Sequence, residues 1–155
     1  MGISPYIERL RGSIGSELLL LPSVAVLARD DQGRLLLVRQ ADFGQWATIR
    51  GTVEPDESPD AAARREALEE AGVEVELRGI GAALGGPGYR KTYPDGDRSS
   101  YVVIVYDAVI SSGSPTPDHD ETTEVGWFTP HAIESLDLGE LNRTLLRDVA
   151  LLGAP

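Results

Sequence analysis

Glu66, Glu69 and Glu70 crowd three carboxylates into five residues. At ~100° per residue on a helix they fall within an arc of ~100°. Like charges that close repel, at some tenths of a kcal/mol per pair. A hard divalent cation such as Mg²⁺ prefers oxygen ligands and would remove that cost. The bland alternative is a solvated acidic face with Arg64 and Arg65 as local partners.

The element that must carry these acids is written into the flanking residues. Ser58 is a good N-cap, and Pro59 suits the first helical position, where no amide hydrogen is needed. Asp60 adds negative charge at the positive helix end. Ala61–Ala63 and Ala67-Leu68 are strong helix formers, and Gly72 stands where a left-handed residue would end the helix. The spacing predicts a helix over 59–71, with Ala61, Leu68 and Ala71 on the face to bury.

Widening the window gives Gly51, Glu57, Arg65, Glu66, Glu69, Glu70, Gly72 and Val73 at fixed spacings over 23 residues. This stretch resembles the Nudix box, G-x5-E-x7-R-E-U-x-E-E-x-G-U, with Ala67 where a larger aliphatic is usual. The resemblance implies an α/β fold, a Nudix-type α/β/α sandwich with a mixed β-sheet. It implies a hydrolase that cleaves a phosphoanhydride bond in a nucleoside diphosphate linked to X, using Mg²⁺, with Mn²⁺ as an alternative. Nucleoside triphosphates come first as substrates, with ADP-ribose or another nucleotide sugar second. Glu66, Glu69 and Glu70 are the implied metal ligands, joined by a backbone carbonyl at Gly51. Glu57 is expected to accept from Arg65 and so help position the carboxylate helix. The stretch from Glu121 to Phe128 looks like the family's E-x-x-E-V-x-W-F. Glu121 therefore matches an acid that completes the metal site or acts as base. Either Glu69 or Glu121 would take the proton from water.

The segment leading into the box departs from the family's W-x-L-P-G-G. Here Trp46 is followed by Ile49 in place of the Pro and Arg50 in place of the first Gly. Arg50 either sits at ordinary φ and alters the loop, or carries ~1–2 kcal/mol of strain. It could also set a cation near the phosphates. This departure motivates a second reading, a Nudix-fold nucleotide-binding or regulatory protein with impaired catalysis.

The rest of the chain supplies the frame. Residues 5–12 read as a short amphipathic helix ended by Gly12, within an N-terminal arm over 1–16. Residues 17–29 read as a strand with a break or edge at Pro22, joined to a second strand over 34–40 as a hairpin. Arg39 at the end of that second strand is a candidate phosphate contact. Residues 73–85 read as a strand, and 100–110 as a strand buried on both faces. The hairpin over 89–98 offers Tyr89, Tyr93, Arg90 and Arg98 for a base or ribose. Pro87 and Tyr89 lie near substrate markers of the family without matching either cleanly. His119 sits in an acidic loop, Thr129-Pro130 opens a short helix to about 136, and 140–152 reads as a final amphipathic helix.

Composition bounds these readings. The 155 residues suit a single domain over 1–155. The chain has no Cys, which excludes disulfides and Cys-ligated zinc and is compatible with the expected cytoplasmic location. No basic region precedes an apolar run at the N-terminus, so no signal peptide is expected. LLLLPSVAVLA is too short to span a membrane. A net charge of −11 argues against a nucleic-acid partner. A small polyphosphate remains compatible, because metal ions and a few Arg residues can meet its charge. The expected partner is a small-molecule nucleotide, with a homodimer plausible from the family and the N-terminal arm.

Overall fold

The computed structural model describes residues 3–153. The first core strand, β1 (Leu19–Ala28), follows a helix α1 (Pro5–Ile14). Then come β2 (Leu35–Gln40), β3 (Trp46–Ala47), β4 (Ile49–Thr52), helix α2 (Pro59–Ala71) and β5 (Glu74–Leu84). After a single 3₁₀ turn, the chain continues through β6 (Arg90–Thr92), β7 (Arg98–Ser112) and β8 (Thr122–Phe128). It ends in α3 (Pro130–Ile133) and α4 (Glu140–Asp148).

One sheet runs β4-β1-β7-β5, with β6 also paired to β7. β1 and β7 are parallel, from Leu19 beside Ser99 to Ala28 beside Ala108, while β4, β5 and β6 are antiparallel to their neighbours. A second, antiparallel sheet runs β3-β2-β8. Alternation along β1 divides the core. Val24, Val26 and Ala28 face the alanines of α2, whereas Ala25 and Leu27 face Leu141, Leu145 and Leu146 of α4. The result is the expected α/β/α arrangement with a mixed sheet.

Several local expectations need correction. Asp30 does build the turn after β1, accepting from the backbone of Gln32 and Arg34. However, β1 and β2 pair only through an isolated antiparallel bridge, Arg29 to Leu35, beside this turn, and each strand then joins a different sheet. Leu35 to Val38 are buried, so β2 must be covered on both faces, and β8 supplies its ladder. Of the two readings at Pro22, a break does not occur, since it lies in register beside Val102 within β1, whereas the residue does stand at the edge of the β4 pairing, which begins at Ser23. Gly12 does not end α1, whose last turn closes at Gly15. α4 is shorter than its apolar stripe suggests, stopping at Asp148. β7 runs past both expected ends, and its faces are only partly buried. No helix among the described residues is long and apolar enough to cross a membrane.

Candidate active site

α2 begins and ends where its caps place it. Ser58 accepts from the Ala61 N–H, and Gly72 takes the left-handed conformation at φ 65°. The face it buries differs from the sequence expectation. Ala61 is exposed and Leu68 is 56% exposed, whereas Ala62, Ala63, Glu66, Ala67, Glu70 and Ala71 are buried. The helix is turned so that two of its glutamates point into the protein. β4 makes this rotation feasible: a Cβ at Gly51 would collide with the Glu66 carboxylate, so glycine leaves the space the acid occupies.

The acids are held by a network centred on Arg65. Its Nε donates to Glu57 Oε1 at 2.7 Å, and Nη2 donates to Glu57 Oε2 at 3.0 Å. Nη1 donates to Glu66 Oε1 at 2.7 Å and to Glu69 Oε2 at 3.1 Å. Nη2 also reaches the Thr52 carbonyl, which ties α2 to β4. Glu57 Oε2 in turn accepts from the Glu54 N–H, fixing the loop ahead of α2. Glu70 Oε2 accepts from the Arg50 N–H at 3.2 Å. The hydrogen bonds from Arg65 hold the Glu57 carboxyl below the usual range.

Burial has the opposite effect on the inward-facing pair. It pushes Glu66 up to about 7, partly offset by Arg65. It pushes Glu70 well above the ordinary value, and the Glu66 and Glu121 charges add to the rise. Such a group resists ionising without a counter-charge. The donor set is oxygen only, which suits a hard divalent ion. Gly51 leaves room beside Glu66, and the strained electrostatics would be relieved by a cation. As placed, no group of three Asp, Glu or His side chains among the described residues stands ready to hold a metal, since Glu66 and Glu69 both engage Arg65. The residues fit such an ion once Arg65 yields those contacts.

Part of this cluster borders a cavity of about 670 Å³. Arg50, Gly51, Arg65, Glu66, Glu69 and Glu121 form its polar side, and Ile3 with Pro5, Ile7 and Arg11 of α1 closes it. Tyr93 and Tyr101, whose hydroxyls lie 2.6 Å apart, stand on its far wall.

The other sequence candidates are scattered. Tyr89 is 2% exposed and donates its hydroxyl to Asp148, so it is a core and helix-anchoring residue away from this cavity. Arg39 is spent on Glu124 and the Gly44 carbonyl. Arg98 reaches back to Ser16 and Glu17. Arg90 lines a second, smaller cavity that Arg50 also borders. Arg50 lies within β4, opposite Ala25, and is not among the residues of positive φ. Its conformation is ordinary, and its side chain lines both cavities.

Residues missed in the sequence include Ser23, whose hydroxyl donates to the Gly51 carbonyl at 2.8 Å. Thr122 was also missed; it is buried and donates to the Glu70 carbonyl, tying the acidic loop to the end of α2. A Ser or Thr in an apolar strand is a weak cue, and neither could be paired with its partner from spacing alone.

Comparison with known proteins agrees with this frame. The family model for the NUDIX domain matches residues 19–149. The chain is 32% identical to the nucleoside triphosphatase NudI of Escherichia coli (strain K12 / DH10B) over 136 residues, covering 83% of this chain and 96% of that protein. It is 32% identical to a MutT-like protein of Streptomyces ambofaciens over 111 residues, 72% of this chain and 65% of that protein's length. Among solved structures, the MutT protein from Methanosarcina mazei Go1 superposes with a TM-score of 0.71 at 24% identity, over 86% of this chain and 95% of that one. With the match running from β1 into the end of α4, the chain belongs to the Nudix family of hydrolases.

Proposed function

We propose that this Nudix hydrolase cleaves a phosphoanhydride bond in a nucleoside diphosphate linked to X, with Mg²⁺ as its metal and Mn²⁺ as an alternative. Nucleoside triphosphates are the first substrate class, and ADP-ribose or another nucleotide sugar the second. The observation that carries the reading is the pair of buried carboxylates, Glu66 and Glu70, of which Glu66 borders, with Glu69 and Glu121, a cavity large enough for a nucleotide. The name of the NudI relatives supports the triphosphate preference.

The residues divide the work. Glu66, Glu69 and Glu70, with the Gly51 carbonyl, would hold the ion. When bound, the ion neutralises the phosphate oxygens and lowers the pKa of water. Arg65 keeps the acids aligned through Glu57, and its charge offsets theirs before the ion arrives. A carboxylate, Glu69 or Glu121, accepts the proton of the attacking water, and both border the cavity. The apolar wall of α1 and β1 shields the reacting groups from bulk water, which strengthens each electrostatic contact. Products are a nucleotide plus phosphate, pyrophosphate or a second phosphorylated fragment.

A panel of common and oxidised (d)NTPs, ADP-ribose, nucleotide sugars and dinucleoside polyphosphates, assayed with Mg²⁺ at mildly alkaline pH, tests the reading. Turnover is expected on at least one class, and Glu70→Gln should abolish it. A folded protein that binds a nucleotide and turns over none would instead support a binding protein. Replacing Arg50 with Gly then separates the causes. A large gain in rate would mean that the departure from the family disables the loop, and a loss would mean that Arg50 contacts substrate.

A further inference from the structure

The smaller cavity, about 310 Å³, is built unlike the larger one. Three of the chain's 14 basic residues, Arg50, Arg90 and Lys91, line it. None of the three makes an ion pair or a side-chain hydrogen bond among the described residues, although the chain carries 25 acidic residues. Arg50 Nη1 is buried and donates to nothing there. An orphaned buried guanidinium N–H is costly and calls for an acceptor.

Lys91 is half-buried. Its ammonium lies 4.8 Å from the centre of the Phe43 ring and 4.7 Å from that of Tyr93. Burial and the nearby Arg50 charge lower its pKa, against a smaller opposing effect from Asp42. Glu140 is the acid on the cavity wall, at the start of α4. The first turn of α4 forms part of that wall, and no side chain caps it at Gly139. Its backbone N–H groups add donors to those of the cations. Lys91 and Arg50 repel each other, Glu70 and Asp42 offset this only through space without an ion pair, and an oxyanion between the two cations would remove the cost.

The two cavities share Arg50 as a common wall. The larger offers apolar and aromatic surface from Ile3, Ile7, Leu21, Tyr93 and Tyr101, which suits a nucleoside. The smaller sets three cations against the single acid Glu140. We propose that the smaller cavity receives the terminal phosphate of a nucleoside triphosphate, held by Arg50, Lys91 and Arg90. This assignment rests on the hydrolase reading for the identity of the ligand, and it places triphosphates above nucleotide sugars as substrates. Arg50 then links the acid cluster, through its backbone N–H on Glu70, to the end of the substrate chain.

The test reads binding and needs no turnover. Affinities for GTP and GDP are measured with Mg²⁺ in Glu70→Gln, and again with Lys91→Gln or Arg90→Gln added. Arg90 is exposed, so its replacement leaves the core intact. In the single variant, GTP should bind at least about tenfold tighter than GDP, the worth of one charge-assisted contact. Each added substitution should cut that preference about tenfold. A preference absent at the outset, or unchanged by both substitutions, would overturn the assignment. In parallel, inorganic phosphate is titrated into the metal-free protein while the backbone amides of Glu140 and Leu141 are followed by NMR. A saturable shift lost in Lys91→Gln supports the oxyanion site, and its absence counts against it. Phosphate binding without a triphosphate preference would leave a free-phosphate site and overturn the substrate assignment. Failure of the hydrolase reading would show separately, as wild-type protein that binds GTP in this pattern and turns over nothing.

Discussion

Gly51 carries more consequence than any acid it accompanies, because it admits Glu66 to the interior. It does not have positive φ, so alanine fits its backbone. The added Cβ would nonetheless meet the Glu66 carboxylate. Gly51→Ala should therefore fold, at a cost of about 1–3 kcal/mol for overpacking. Its kcat should fall about 100-fold, as expected for a displaced catalytic group. Near-normal turnover in a variant that melts normally would show that Glu66 is not needed where it lies. Glu57 gives a second residue-scale prediction. Its folded pKa is depressed, chiefly by the hydrogen bonds from Arg65, so its contribution is present above the unfolded value of 4.5 and is lost as pH falls through the folded one. Glu57→Gln should lower stability by about 1.5–3 kcal/mol at pH 7. It should also flatten the fall in stability between pH 6 and pH 3, measured by urea unfolding. A variant whose stability parallels the wild type at every pH would refute this assignment.

At the scale of elements, α1 is the least secured part of the cavity wall. None of its residues is buried, and a few polar ties hold it down. Arg11 donates to the carbonyls of Gly15, Glu17 and Arg98 and pairs with Asp97 at 3.3 Å, while Ser4 donates to Glu54 at 2.7 Å. Arg11→Ala should loosen the helix without touching the acids. KM should rise about tenfold, the worth of one such contact. The change in kcat should be much smaller, and residues 3–18 should become more open to proteolysis. A fall in kcat at constant KM would mean that α1 positions reacting groups and does not act only as a wall. Elements also divide what the sequence reveals from what it hides. The ends of α2 were legible because caps act within a few residues: Ser58, Pro59 and Gly72 each do their work locally. Its orientation was not, because periodicity placed Leu68 inside and the acids outside. The deciding partners, Gly51 on β4 and Arg65's reach to Thr52, belong to contacts made across the fold. The same reason hid the separation of β1 from β2, where the turn is local but the ladders are long-range. Tyr89 shows the limit for the site: an aromatic beside two cations looks like a ligand contact until its hydroxyl is found on Asp148.

For the whole molecule, the relevant quantity is a net charge of −11 with some of its acids turned inward. The native state must bury Glu66 and Glu70 near Glu121, and this electrostatic cost is absent from the unfolded chain, where the acids are dispersed and hydrated. A divalent cation that binds only the assembled cluster removes the cost and shifts the folding equilibrium. At a concentration about 100 times its Kd, such binding adds about 2.7 kcal/mol. For a domain of this size that corresponds to a rise in Tm of roughly 5–10 °C. Mg²⁺ at pH 7.5 should produce that rise, and equal ionic strength from NaCl should not. Glu70→Gln should melt higher than the wild type without metal, since folding no longer has to hold neutral a carboxyl that ionises in the unfolded chain, and should lose most of the Mg²⁺ increment. The two effects have opposite signs, which separates metal binding at the cluster from general screening of a highly acidic protein. If NaCl and Mg²⁺ at matched ionic strength raised Tm equally in both proteins, the stabilisation would belong to the overall charge, and the inward-facing acids would have to be explained without a bound ion.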